Sequence, residues 1–395
     1  MTPDSRDLPD AAELRRRGSL KWTGVSADVA AWVAEADFGT AEPVREALRG
    51  GVEASLFGYL PPAQRKALGE ACARWQAERY GWQVSPDQVH PVGDVREALR
   101  IAIERYSRPG SPVILPTPAY MPFVTAPRVW GREVIQVPMT ASGERPGLDL
   151  AALDRAFRAG GNLLVLVNPH NPTGRVLERS ELLDVAEVVT RNGGRVFADE
   201  IHAPLTYPGF RHVPYASVSA AAAEHTVTAT SASKAWNIAG LKCAQVILNS
   251  ADAGAWAPDD VLLTEGASTL GVIANTAAYD DGRDWLAGTI AYLDGNRSAL
   301  GEVLAEHAPL VGYRPPEGTY LAWLDLRAAL SAIAAPPGAE ARPSRWLRRR
   351  TGVAVTDGSD CGRAGEGYVR LNLAMPRPMV VEAGRRIAAC LDPNG

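Results

Sequence analysis

From about residue 60 to residue 250, short apolar runs alternate with stretches patterned for amphipathic helices, and this alternation restricts the fold more than any other feature of the sequence. The runs are PVILP (112–116), EVIQVP (133–138), NLLVLVN (162–168), RVFAD (195–199), TVTAT (226–230) and AQVILN (244–249). Helical patterns cover 62–81, 94–107 and 179–193. A strand that is apolar on both faces needs cover on both faces, which helical crossovers between parallel strands supply. The expected fold is therefore α/β, with a mostly parallel sheet between helix layers. After residue 280 the pattern changes to a long helical stretch (284–307), extended segments at 319–326 and 367–374, and a terminal helix (379–391). This reads as a smaller α+β lobe, joined by the N-terminal segment. The expected division is 1–48 with the small domain, 49–280 as the large domain and 281–395 as the small C-terminal domain.

A chain of 395 residues exceeds the size at which single cores stop growing, in keeping with two lobes. The formal net charge of −4 argues against nucleic acid as a partner. No apolar run reaches membrane-span length and the first ten residues are acidic and polar, so a cytoplasmic protein without membrane partners is expected. Cys72, Cys243, Cys361 and Cys390 are scattered without metal-like spacing, and no metal site is expected.

Of the 41 basic residues only Lys21, Lys66, Lys234 and Lys242 are lysines, leaving 37 arginines. Where any cation serves, this chain uses arginine, so each lysine invites a reason; an imine is one that arginine cannot form.

In open α/β sheets ligands gather beyond the carboxyl ends of the strands. There the sequence places Asn168-Pro169-His170-Asn171-Pro172-Thr173-Gly174-Arg175, Asp199-Glu200-Ile201-His202, Ser231-Ala232-Ser233-Lys234 with Lys242 beyond, and Thr117-Pro118-Ala119-Tyr120. Each has an ordinary reading by itself: a proline-rich turn, helix caps, a half-buried aromatic. Their joint occurrence in this order is what carries weight.

The set NPHNPTGRV, ADEIH, SASKAWNIAGLK and YVRLNLA resembles the class I and II aminotransferase superfamily of pyridoxal-phosphate (PLP) enzymes, of fold type I. The likeness runs from about Lys21 to the terminal helix. It implies a large domain with a seven-stranded, mostly parallel sheet, the PLP cofactor, and a homodimer with shared active sites. On this resemblance Lys234 would carry PLP as a Schiff base and then move the substrate Cα proton. Asp199 would pair with the ring nitrogen, Asn171 would meet the ring 3′-oxygen with His202 as its second partner, and Tyr120 would stack on the ring. Ser231, Ser233, Lys242 and the turn Gly93-Asp94-Val95 opening a helix would hold the phosphate. Asp94 stands where the family usually has an apolar residue, and is expected to turn away and cap the helix. Tyr59 would reach the phosphate of the neighbouring subunit. Arg370 would grip the substrate carboxylate, with Asn171 and Ala36 also at the substrate.

SLKWTGV (19–25), AWVAEADFGTAEPVREAL (31–48), FGYLPP (57–62) and GTYLAWLDLR (318–327) further resemble the MalY/PatB-type cystathionine β-lyase branch. The implied reaction is α,β-elimination on an S-substituted cysteine, giving thiol, pyruvate and ammonia. Amino transfer to a keto acid, or another PLP reaction on a cysteine conjugate, would use the same residues and remains the alternative.

Overall fold

The computed structural model describes residues 4–140 and 145–392; the outermost three residues of the expected 1–48 and 281–395 segments lie outside it. Seven strands form the main sheet: β1 (Val89–Val92), β2 (Val113–Thr117), β3 (Val134–Pro138), β4 (Leu163–Val167), β5 (Arg195–Asp199), β6 (Thr226–Thr230) and β7 (Ala244–Leu248). Their order is β1-β7-β6-β5-β4-β2-β3. Contacts among β2 to β6 are parallel, whereas β7 runs antiparallel to both β6 and β1.

Six of these strands coincide with the six apolar runs. The seventh, β1, reads VHPV and carries no comparable signal. Pro91 lacks the N–H a central strand must donate, and β1 accordingly lies at the sheet edge.

Along β4 the side chains alternate between two cores. Leu163, Val165 and Val167 enter one with Val95, Leu99 and Phe123, while Leu164 and Leu166 enter the other with Leu153, Leu182 and Val185. Successive strand residues face opposite ways, so an all-apolar strand fills two cores. Each such side chain contributes about 1.5–3 kcal/mol on burial. The covering helices are α1 (Val95–Tyr106) on one face, and α2 (Leu150–Arg158) and α3 (Arg179–Arg191) on the other.

Beyond the sheet runs a 25-residue helix, α4 (Arg283–His307), packed on the terminal helix α5 (Arg377–Cys390). A second, antiparallel sheet holds β8 (Gly312–Tyr313), β9 (Leu321–Asp325), β10 (Thr356–Asp357) and β11 (Tyr368–Asn372), in the order β10-β11-β9-β8. The N-terminal segment joins this part of the molecule, because Val29 and Ala30 pair in parallel with Val353 and Ala354. Among the described residues no helix is long and apolar enough to cross a membrane.

Candidate active site

The parallel strands β2, β4, β5 and β6 all end at one rim of the sheet, and the chain after each turns into a common cavity of about 360 Å³. Tyr120, Asn171, Asp199, His202, Ser231, Ser233, Lys234, Lys242, Asp94 and Val95 all line it. Residues separated by up to 148 positions thus meet at the place strand topology predicts.

Lys234 donates from Nζ to the carbonyl of Ala34 at 2.9 Å. Burial, reinforced by the charge of Arg370 and opposed by Asp199 and Glu35, brings its ammonium down to about 8. A lysine so poised is partly neutral near pH 8 and can act as nucleophile or base. Asp199 is buried, with Oδ1 accepting from the Ile201 N–H at 3.1 Å. Burial pushes its carboxyl up to about 7, which marks a site suited to a cationic partner. His202 is also buried and its Nδ1 has no hydrogen-bond partner in the protein. Burial, with the charges of Lys234 and Arg370, pushes it down to about 3, so the ring is neutral at physiological pH.

Asp199 carries a pH signature. Its folded value of about 7 stands above the ordinary 3.8, so in the ligand-free protein its contribution is intact below about pH 4 and is lost as pH rises through about 7. The span corresponds to roughly 4 kcal/mol at most. Asp199→Asn is expected to melt progressively higher relative to the parent apoprotein between pH 4.5 and pH 8. A melting difference that is flat across this range would refute the assignment.

At the opposite end, Asp94 Oδ1 accepts from the N–H groups of Arg96 and Glu97, both at 3.0 Å, capping α1 as expected. It does not turn clear of the site, however. Its Oδ2 accepts from Lys242 Nζ at 2.9 Å and from the Arg96 guanidinium at 3.2 Å. Burial opposes its ionisation, but Lys242, the Glu97 N–H and Arg96 outweigh this and bring the carboxyl down to about 2. Ser231 Oγ lies 2.7 Å from both Ser233 Oγ and the Cys243 carbonyl. Lys242 holds a left-handed backbone (φ 51°), a conformation that costs free energy and concentrates at functional sites.

Four expected residues lie elsewhere. Gly93 does not line the cavity; a Cβ there would stand 2.9 Å from the Gly266 carbonyl, so its role is close backbone packing. Ala36 does not line it either, because its N–H and C=O are both engaged by the Asn237 side chain at 3.0 and 2.9 Å. Ala34, two residues earlier, lines it instead. Tyr59 is 91% exposed and takes no part in the cavity of its own chain. Arg370 sits behind the wall, 1% exposed. It donates to Asn171 Oδ1 at 2.9 Å, to the Trp32 carbonyl at 3.1 Å and to Thr356 Oγ1 at 3.2 Å, and its Nε has no partner in the protein. Asn171 therefore keeps its amide nitrogen to offer.

Sequence reasoning missed Arg96, Leu20, Ile201 and Ala34 in the lining, and Tyr320, whose hydroxyl donates to the Ala34 carbonyl at 3.0 Å. Arg96 did carry a signal. It stands in the first turn of α1, where the helix dipole disfavours a cation, so a guanidinium there points to an anion.

The profile of the family described as aminotransferase class I and II matches residues 33–387. Cystathionine beta-lyase of Corynebacterium glutamicum is 38% identical over 97% of this chain and 100% of its own. Cystathionine beta-lyase PatB of Bacillus subtilis is 32% identical over 94% and 96%. The crystal structure of the PLP-bound C-S lyase from Staphylococcus hominis superposes with a TM-score of 0.89 at 26% identity, covering 98% of this chain and 99% of that one. By the profile match and by relatives aligned over nearly its whole length, the chain belongs to the class I and II aminotransferase family.

Proposed function

We propose that this protein is a PLP-dependent carbon–sulfur β-lyase that cleaves an S-substituted cysteine by α,β-elimination, releasing thiol, pyruvate and ammonia. The observation that carries the reading is the meeting of Lys234, its ammonium brought down to about 8, with Asp199 in one cavity, where Arg370 holds the lining residue Asn171 from behind, in a chain whose full-length relatives are cystathionine β-lyases.

The residues present fit the cofactor. Asp199, displaced upward by burial, suits a protonated ring nitrogen, and His202, with an unpartnered buried nitrogen, suits the ring oxygen together with Asn171. Lys242, Arg96, Ser231, Ser233 and the N-terminus of α1 suit a phosphate. Tyr120, half-buried at the wall, offers a ring face. PLP, when bound, supplies an electron sink for the pair of electrons left at the substrate Cα. The protein provides the rest. Asp199 keeps the ring nitrogen protonated, Arg370 fixes the substrate carboxylate, and the Lys234 amine takes the Cα proton. With that proton removed, the Cβ–S bond breaks and the thiolate departs. Water then converts the three-carbon remainder to pyruvate and ammonia.

Incubation with cystathionine or an S-alkyl cysteine is expected to give thiol and pyruvate in equal amounts without any added keto acid. Strict dependence on a keto acid would sink the lyase reading in favour of amino transfer.

The enzyme we propose is a homodimer, with Tyr59 of each subunit reaching the phosphate of its partner's site. Support comes from the exposure of Phe57, Tyr59, Val261 and Leu262 (66 to 91%), apolar surface that a second subunit would cover. We place the enzyme in the cytoplasm, in keeping with four free cysteines. Residues 1–48 and 281–395 form, in this reading, one lobe against 49–280, as the pairing of Val29 with Val353 supports.

A further inference from the structure

Lys21 has no part in the chemistry above, yet it is completely buried, while Lys66 is an exposed helix residue paired with Glu70. Lys21 Nζ donates to Asp37 Oδ2 at 2.8 Å and to the Ala374 carbonyl at 3.1 Å. Asp37 also accepts from Trp22 Nε1 at 2.9 Å, and its N–H donates to the Ala374 carbonyl at 3.0 Å. Trp32 Nε1 closes the loop by donating to the Lys21 carbonyl at 2.9 Å.

Between these anchors, residues 32–36 cross the site as a strap bent at Trp32 to Ala34, where the Glu35 N–H donates to the Val33 carbonyl at 2.9 Å, and its carbonyls alternate in partner. The carbonyls of Val33 and Glu35 both accept from Asn372 Nδ2 at 2.7 Å. The carbonyl of Trp32 accepts from Arg370, that of Ala34 from Lys234 and Tyr320, and that of Ala36 from Asn237. A slip of the strap along its path would take the Trp32 and Ala34 oxygens away from Arg370 and Lys234. The hydrogen bonds along the strap are mutually similar and do not by themselves exclude such a slip. A buried ion pair does, since displacing either charge leaves the other unpaired away from water.

We propose that the Lys21–Asp37 pair is a pin for the strap, and that Lys21 and Asp37 are positioning residues for the active site. They fix the strap so that the Trp32 carbonyl orients the Arg370 guanidinium and the Ala34 carbonyl takes an N–H of Lys234, leaving its lone pair directed at substrate. The inference rests on the roles given above to Arg370 as carboxylate grip and Lys234 as base.

The test uses the holoenzyme carrying Lys21→Met together with Asp37→Asn, which removes both charges and keeps an acceptor for Trp22. The dissociation constant of L-alanine, an amino acid with no leaving group at Cβ, is read from the visible absorption of bound PLP. It is expected to rise at least tenfold, and the midpoint of its pH dependence to move, with PLP still attached to Lys234 by borohydride reduction. A dissociation constant and pH midpoint within twofold and 0.2 of the parent would overturn the pin. If the double variant does not fold, Trp32→Phe, which removes the bond to the Lys21 carbonyl and trims the ring packed against the Leu14 and Trp22 cluster, is read in the same way. It is expected to weaken L-alanine at least threefold, and unchanged binding would overturn the proposal. Because L-alanine binding involves no elimination, failure of the lyase reading appears separately, as normal binding responses with no pyruvate from an S-alkyl cysteine.

Discussion

Replacement of Lys234 by alanine is expected to lower kcat by at least about 10³-fold and to abolish the borohydride-reducible link to PLP. Removal of a positioned general acid–base alone costs about 10²–10⁴-fold, and Lys234 is in addition the nucleophile that carries the cofactor. No neighbour can replace it. Lys242 is engaged with Asp94 at the other end of the cavity, and the remaining cations near the site, Arg96 and Arg370, are guanidinium groups that do not deprotonate. PLP should still bind without the covalent link, because Lys242, Arg96, Ser231 and Ser233 are untouched. The apoprotein should not lose stability either: burial already works against the Lys234 ammonium, bringing it from 10.5 to about 8. Visible spectra before and after borohydride, with melting of the apoprotein, separate these outcomes. A variant that retained a reducible adduct, or a kcat within tenfold of the parent, would remove Lys234 from the centre of the mechanism.

What was legible in the sequence follows from which interactions leave a mark on residue type. β4 was readable because it is buried on both faces and apolar throughout, and β2, β6 and β7 because apolar and β-branched residues dominate them, while β1 was not, because its edge position tolerates His90 and Pro91. Asp199, Asn171 and Lys234 were readable because their side chains do the work and follow strands. Ala34 was not, since what it contributes is a carbonyl oxygen, which every residue possesses. The expectation of Ala36 fell two positions away for the same reason: only the folded strap shows which carbonyls face the cavity. Asp94 was readable as a helix cap from its own neighbours, but its second oxygen meets Lys242, 148 positions along the chain, and nothing local encodes that contact. Arg96 was hidden by the abundance of arginine, although its place in a first helical turn was a usable clue.

The other large effect is expected at Arg370. Arg370→Ala should raise KM for an S-alkyl cysteine by roughly 10–150-fold, the equivalent of the 1.5–3 kcal/mol that a hydrogen bond to a charged group contributes, with kcat reduced less. The informative comparison is Arg370→Lys. In the parent one guanidinium serves Asn171 Oδ1, the Trp32 carbonyl and Thr356 Oγ1 at once, and the substrate carboxylate must be met from the same planar fork. An ammonium has three donors in a tetrahedral arrangement and cannot reproduce that set. It also titrates. Burial already lowers the affinity of Arg370 for its proton, without consequence for a guanidinium that starts so high. A lysine in the same surroundings starts near 10.4 and is pushed down by the same desolvation and by the nearby charge of Lys234. Above its lowered pKa the variant would present a neutral amine to the carboxylate. KM of Arg370→Lys is therefore expected to rise with pH between about 7 and 9, over a range in which KM of the parent changes less. KM values for both variants within threefold of the parent across this range would show that the carboxylate is held elsewhere.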